Sequence, residues 1–245
     1  MKNFKVYIAS ILFVFASALP ANAFDMPSVN ADGLSIGVSL TAAGYRASGS
    51  ETEGTTAGTK EKSSKEVVMG AGYPSIFIEY SIEQAMGLTI GIDYVTETLS
   101  TEATSRRDYN YNPTDGTKNC AGTDCDSGRQ DQTNTLDADF EDLTTIYLAM
   151  PIPGTNAFIK AGIKTVDVIT KESLDTGSAY NDTDLEGVML GFGWTAEVGE
   201  GVFIRAAADY TDFDDLSLTS TTNSDNTIKA SLEGVSASFS IGKSF

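Results

Sequence analysis

Charged side chains stand at alternate positions in several short, otherwise apolar segments, and they are the first candidates for chemistry. They are Glu79 in SIFIEYSI, Asp93 in LTIGIDYV, Lys160 and Lys164 in AFIKAGIKT, Glu197 in VMLGFGWTAEV, and Arg205 and Asp209 in VFIRAAADY. Groups of both signs on such positions can pair if a fold brings them together, and paired carboxylates can also serve as acid and base. The chain has no histidine, which removes the usual general base and the commonest nitrogen ligand for metals. Acidic clusters occur in ADFED (138–142), in DYTDFDDL (209–216) and around Asp124 and Asp126. Neither of the last two has the spacing of an EF-hand loop. We read them as solvated anionic surface and assign no catalytic, cofactor-binding or metal-binding residue.

The elements that must position these charges belong to an exported chain. MKNFKVYIASILFVFASALPANA has a basic start, an apolar run from Val6 to Leu19 and a small-x-small Ala21-Asn22-Ala23 site. That is the organisation of a secretory signal peptide over residues 1–23, with the mature chain starting at Phe24. Export makes a local disulfide between Cys120 and Cys125, in NCAGTDCDSG, the expected state of the two cysteines. The whole chain carries 16 basic and 34 acidic residues, and cleavage removes Lys2 and Lys5. A polyanion of this kind is not a nucleic-acid binder.

Beyond residue 33 hydrophobicity alternates with period two, the mark of half-buried strands. Leu34, Ile36, Val38 and Leu40 share one face, and Ser35, Gly37, Ser39 and Thr41 the other. The same pattern recurs in 75–82, 88–98, 143–150, 157–165, 188–198 and 202–210, and in a closing run from about Ile228. A phase change near Gly234 in that last run predicts a bulge. Connections alternate in length. Glu83–Gly87, Pro151–Asn156 and Gly199–Gly201 are tight, whereas roughly 48–66, 103–135, 171–184 and 212–227 are long and polar. Long connections on every other link emerge at one end. The count is eight strands, or ten if 103–135 holds a further hairpin.

Which face is inside decides the class. A soluble exported calycin-like binding barrel would bury the apolar faces; a membrane barrel turns them to lipid. Three features favour lipid. The polar faces are rich in small residues (Gly37, Gly91, Gly162, Gly191, Gly193, Ala207), as a narrow interior requires. They carry charges of both signs, which can pair across a lumen. Tyr45, Tyr80, Tyr94, Tyr210 and Phe245 stand near strand ends, where aromatic rings favour the interface. The fold class is therefore all-β, an antiparallel up-and-down transmembrane β-barrel over 24–245 with four long extracellular loops. Closure is obligatory, because open sheet edges do not survive in hydrocarbon.

The chain closes on SASFSIGKSF, with Val235, Ala237, Phe239, Ile241 and Phe245 at alternating positions. This resembles the C-terminal signature of bacterial outer-membrane proteins that the barrel-assembly machinery recognises, with Lys243 the one departure. The organisation as a whole is similar to the small eight-stranded barrels of the opacity-protein and OmpA-like membrane-domain type. That resemblance implies a monomer in the outer membrane of a Gram-negative bacterium, in contact with outer-membrane lipid and lipopolysaccharide. It further implies a structural or surface-interaction role, with loops available to an extracellular partner. No peptidoglycan-binding domain is expected after Phe245. Enzymes among such barrels use an active-site histidine, so a non-enzymatic role is expected. A narrow channel or small-solute carrier is the alternative, and the mixed charges of the lumen argue for a plug instead.

Overall fold

Alternation of apolar and polar residues, continued through nearly every strand, builds a single closed sheet. The structure is a computed structural model and describes residues 33–54, 60–101, 104–109, 131–173 and 179–245. The signal peptide and the Cys120–Cys125 pair lie outside the described residues.

We number the strands of the ring β1 (Leu34–Gly54), β2 (Lys60–Ile82), β3 (Leu88–Val95, continued by Leu99–Ser100 and Thr104–Tyr109) and β4 (Asp131–Pro151). There follow β5 (Ala157–Ser173), β6 (Thr183–Gly199), β7 (Val202–Phe213, continued by Leu216–Thr219) and β8 (Thr227–Ser244). Each pairs antiparallel with the next, and β8 returns to β1 from Ser35↔Ser244 to Thr52↔Thr227. The ring has eight strands, and the described residues of 103–135 belong to the ends of β3 and β4. Gly33 N donates to Phe245 O and Phe245 N to Leu34 O, so the two ends of the barrel wall meet.

The stagger fixes the barrel's size. From Ile36, partners run through Ile78, Ile92, Ile146, Ile163, Val188, Asp212 and Glu233, and reach β1 again at Arg46, ten residues beyond the start. With eight strands that shear tilts the wall by about 40° and leaves room inside for side chains or one small ligand.

The apolar faces point outward. Leu40, Ile78, Ile146, Phe192, Trp194, Val235, Phe239 and Ile241 are all exposed on the outer surface. They form a belt around the ring, closed at the loop end by outward-facing Arg46, Glu66, Asp142, Asp167, Glu186 and Glu233. Arg46 reaches Glu66 at 3.4 Å and Glu233 at 3.3 Å across strands. A continuous exposed belt of this kind is incompatible with a soluble calycin-like barrel, in which these side chains would form the core. It is the outer surface of a transmembrane barrel.

Several sequence expectations are corrected. Strand pairing runs far into the segments expected to be loops: β1 and β2 stay paired to Gly54↔Lys60, within 48–66. There the residues are polar on both faces, so hydrophobic period vanishes while the ladder continues. A membrane crossing needs about 9–11 residues, but β1, β2 and β4 have 21, 23 and 21, so the wall projects well beyond lipid. Above the belt, Lys171 on β5 pairs with Asp139 on β4 and holds that carboxyl below its usual range. The bulge expected near Gly234 is absent, since β8 pairs in unbroken register with β1. The change of phase arises because the interior turns apolar there, with Leu232 packed inward. Register shifts fall instead between Glu141 and Thr144 and between Glu197 and Gly199. Tyr45 is not an interface residue; it points inward, and its hydroxyl meets that of Tyr73 at 3.2 Å.

Glycines on the inner face make room for rings. Gly37 pairs with Phe77, Gly91 with Tyr147, Gly193 with Phe158 and Gly242 with Phe203. A Cβ on Gly37 would lie 2.3 Å from Phe77 Cζ and 2.4 Å from the Ile241 carbonyl oxygen. Gly37→Ala is therefore expected to cost about 1–3 kcal/mol through overpacking. Outward-facing Gly44, whose nearest contact would be 3.9 Å away, should tolerate alanine at a small fraction of that cost. Urea midpoints of the two variants folded into vesicles provide the comparison.

Candidate functional site

The inner face at belt height carries the charges singled out in the sequence. Glu79 (β2) and Arg205 (β7) meet in the middle of the lumen. Arg205 Nη1 donates to Glu79 Oε1 at 2.5 Å and Nη2 to Oε2 at 2.9 Å, a bidentate pair. Tyr147 Oη donates to Glu79 Oε1 at 2.5 Å, and Arg205 Nε donates to Thr195 Oγ1 at 3.3 Å. Glu79 is 2% exposed as a side chain and Arg205 17%. The guanidinium lies 5.1–5.6 Å from the ring centres of Phe77, Phe158 and Phe203, which enclose it. A charge so enclosed is tolerable only because its partner, its hydrogen bonds and the ring faces replace water.

Beside this pair, Lys160 Nζ lies 3.1 Å from Asp209 Oδ2 and 5.1 Å from the centre of the Tyr147 ring. Ser75 Oγ donates to Asp93 Oδ2 at 3.1 Å. Asp93, Lys160, Lys164, Arg205 and Asp209 line one small cavity of about 50 Å³ with Ser39, Ser236, Ser238 and Ser240. A space of that size holds a few waters and nothing larger. Six of the seven charges proposed from sequence are thus gathered in one lumen. Glu197 is the exception: it is exposed at the turn end, beside the register shift of β6.

Sequence reading missed the residues that complete the plug, namely Tyr147, Phe77, Phe158 and Phe203. Each sits on the polar-face parity of its strand, and that parity was the available signal. Their meaning depends on the cross-strand glycines, which only the register discloses. Among the described residues, no group of acidic or cysteine side chains is arranged to hold a metal ion.

Above the plug the interior changes character. Tyr73, Val95, Leu143, Val166, Leu185 and Phe213 form a buried apolar cluster across the barrel. Beyond it opens a cavity of about 730 Å³, lined by residues of every strand of the ring except β6. On the outer surface, Val235, Ala237, Phe239, Ile241 and Phe245 all face outward from β8 and its terminus, and Lys243 Nζ lies 5.6 Å from the centre of the Phe245 ring.

Solved structures similar to this chain are outer-membrane barrels. The outer membrane protein OprG from Pseudomonas aeruginosa is 13% identical, with a TM-score of 0.37, over 84% of this chain and 95% of that one. The Neisserial surface protein A (NspA) is 12% identical, with a TM-score of 0.34, over 84% and 97%. The outer membrane protease OmpT from Escherichia coli is 9% identical, with a TM-score of 0.44, over 90% and 99%. No protein-family profile matches the chain, and no curated relative matches it.

Proposed function

We propose that this chain is a non-conducting, non-enzymatic outer-membrane scaffold that carries its extended strands and their connections to the cell surface. One observation carries the reading: the bidentate Arg205–Glu79 pair, packed among Phe77, Phe158, Phe203 and Tyr147, fills the lumen at belt height. The residual space of about 50 Å³ does not amount to a continuous path. Strands of 17–23 residues, where about 9–11 suffice to cross lipid, lift the connections clear of the membrane. Loops on a rigid support are where recognition is usually placed. The acidic composition suits a surface that repels like-charged neighbours. The outward apolar row ending at Phe245 is the segment we assign to the assembly machinery, and outer-membrane lipid with lipopolysaccharide is what we place around the apolar belt.

Planar-bilayer recording tests this directly. Purified, folded protein is expected to give no single-channel steps at concentrations where a porin control conducts. Reproducible steps would overturn the plug and favour the narrow-channel reading. Retention of activity-free behaviour against peptide, phospholipid and lipid A substrates is the companion result, and turnover of any of these would overturn the non-enzymatic part.

A further inference from the structure

The wall of the barrel is not paired all the way up. The β2–β3 ladder ends at Ser75↔Val95, although β2 continues for fifteen residues toward Lys60 and β3 continues to Tyr109. The continuation of β3 pairs only with β4, through Leu99↔Phe140 and Thr104↔Leu136 to Tyr109↔Asp131. Among the described residues, no backbone hydrogen bond joins β2 above Ser75 to β3 above Val95.

Sequence supplies the cause. Ser81 N donates to Gly33 O on the β1 side, so odd positions of β2 aim their backbone groups at β1 and even positions at β3. Pro74 is the even position next after the last pair, and it has no N–H to offer β3. The seam therefore begins where the ladder loses its donor. It also begins where the belt ends, beside Tyr94, whose hydroxyl donates to Asp142 at 2.7 Å in the collar. An open edge is tolerated at that height and not lower.

Behind the seam lies the cavity of about 730 Å³. Its walls are Val67, Met69 and Ala71 of β2, Leu99 of β3, and Phe140 and Leu143 of β4, with Phe213 and Leu232 opposite. Val68, on the free edge, is 71% exposed and faces outward. Among the described residues, the buried polar side-chain atoms lacking a partner are on Asp139 and Asp209, neither of which lines the cavity. Thr101 in the lining is committed, its Oγ1 accepting from Ala138 N at 2.9 Å. Most of the lining is apolar, from Val67 and Met69 through Leu99 and Phe140 to Phe213 and Leu232, and such walls favour apolar contents over water. Lys65 and Asp137 oppose each other's charge in the lining, and the acidic balance of the chain as a whole disfavours an anionic head group.

We propose that this cavity binds an uncharged, elongated hydrophobic molecule, of the alkane or long-chain alcohol class, admitted sideways through the seam between β2 and β3. The proposal goes beyond the scaffold reading and is independent of it, since the plug below remains closed with the cavity occupied. The test uses the mature protein in lipid nanodiscs with 1-aminoanthracene as fluorescent probe, corrected by empty nanodiscs. Saturable binding is expected, displaced by 1-decanol and at least tenfold less well by decanoate. Ala71→Trp and Ala138→Trp fill the cavity from opposite walls, and each is expected to weaken probe binding at least tenfold while the heat-dependent gel shift persists. Should one variant fail to fold, the other suffices. A diazirine analogue of decanol should label Val67, Met69, Leu99 or Phe140. The proposal is overturned by non-saturable binding, by equal displacement with decanoate, by unchanged binding in a folded filled variant, or by labelling confined to belt residues such as Phe192 and Phe239.

Discussion

Replacing Glu79 by methionine should lower the stability of the barrel by about 3–5 kcal/mol, the usual loss when one member of a buried ion pair is removed. The cost comes from what is left behind. Arg205 would keep its charge inside a cage of Phe77, Phe158 and Phe203, with Thr195 Oγ1 its remaining hydrogen-bond partner. Tyr147 would lose its acceptor as well. Adding Arg205→Met removes the orphaned charge, and the double variant should regain most of the loss, short of about 1 kcal/mol for the unpaired tyrosine hydroxyl. Equilibrium urea unfolding from vesicles reads all three proteins. A single variant within about 1 kcal/mol of wild type would show that the pair is solvated and the lumen wet. A double variant less stable than either single one would show that the pair itself, not the desolvated charge, holds the barrel together.

Arginine in place of Phe239 should cost about 2–4 kcal/mol, the penalty for a cation on the lipid face near the bilayer midplane. Phe239 is 57% exposed, on β8 between Val235 and Phe245, at the centre of the belt. Ser231→Arg is the control. It faces the same way on the same strand but lies beyond Glu233, outside the collar, where the depth-dependent cost falls to about 0–1 kcal/mol. The contrast matters more than either value. Equal costs at the two positions would mean that the belt does not sit in hydrocarbon.

Fold class was legible in the sequence because a half-buried strand must alternate, and eight runs do so. Inner and outer faces were legible too, since glycine and lumen charges share one parity in β3 (Gly91, Asp93) and β5 (Lys160, Gly162, Lys164). What stayed hidden follows from the same physics. Residues 48–54 and 60–66 are polar on both faces, so nothing in the pattern separates projecting strand from loop. Tyr45 looked like an interface aromatic because an aromatic near a strand end usually is one. Its parity with Ser39 and Thr41 was the contrary sign, and it proved to be an inner residue against Tyr73. Glu197 shares the parity of Gly191 and Gly193 but sits at the wet rim, and height along a strand cannot be read from alternation alone. The glycine–aromatic pairs and the seam needed cross-strand register, although Pro74 was in plain view as a residue that cannot donate.

One measurement bears on the central assignment more directly than any variant. The chain has a single tryptophan, Trp194, which faces outward from β6 and is 46% exposed at the turn end of the belt. Folded into vesicles of lipids brominated at defined depths, its fluorescence should be strongly quenched, most by bromines near the head groups. Quenching that is absent, or no greater than in unbrominated lipid, would place Trp194 inside a soluble core and contradict a barrel whose apolar face meets the membrane.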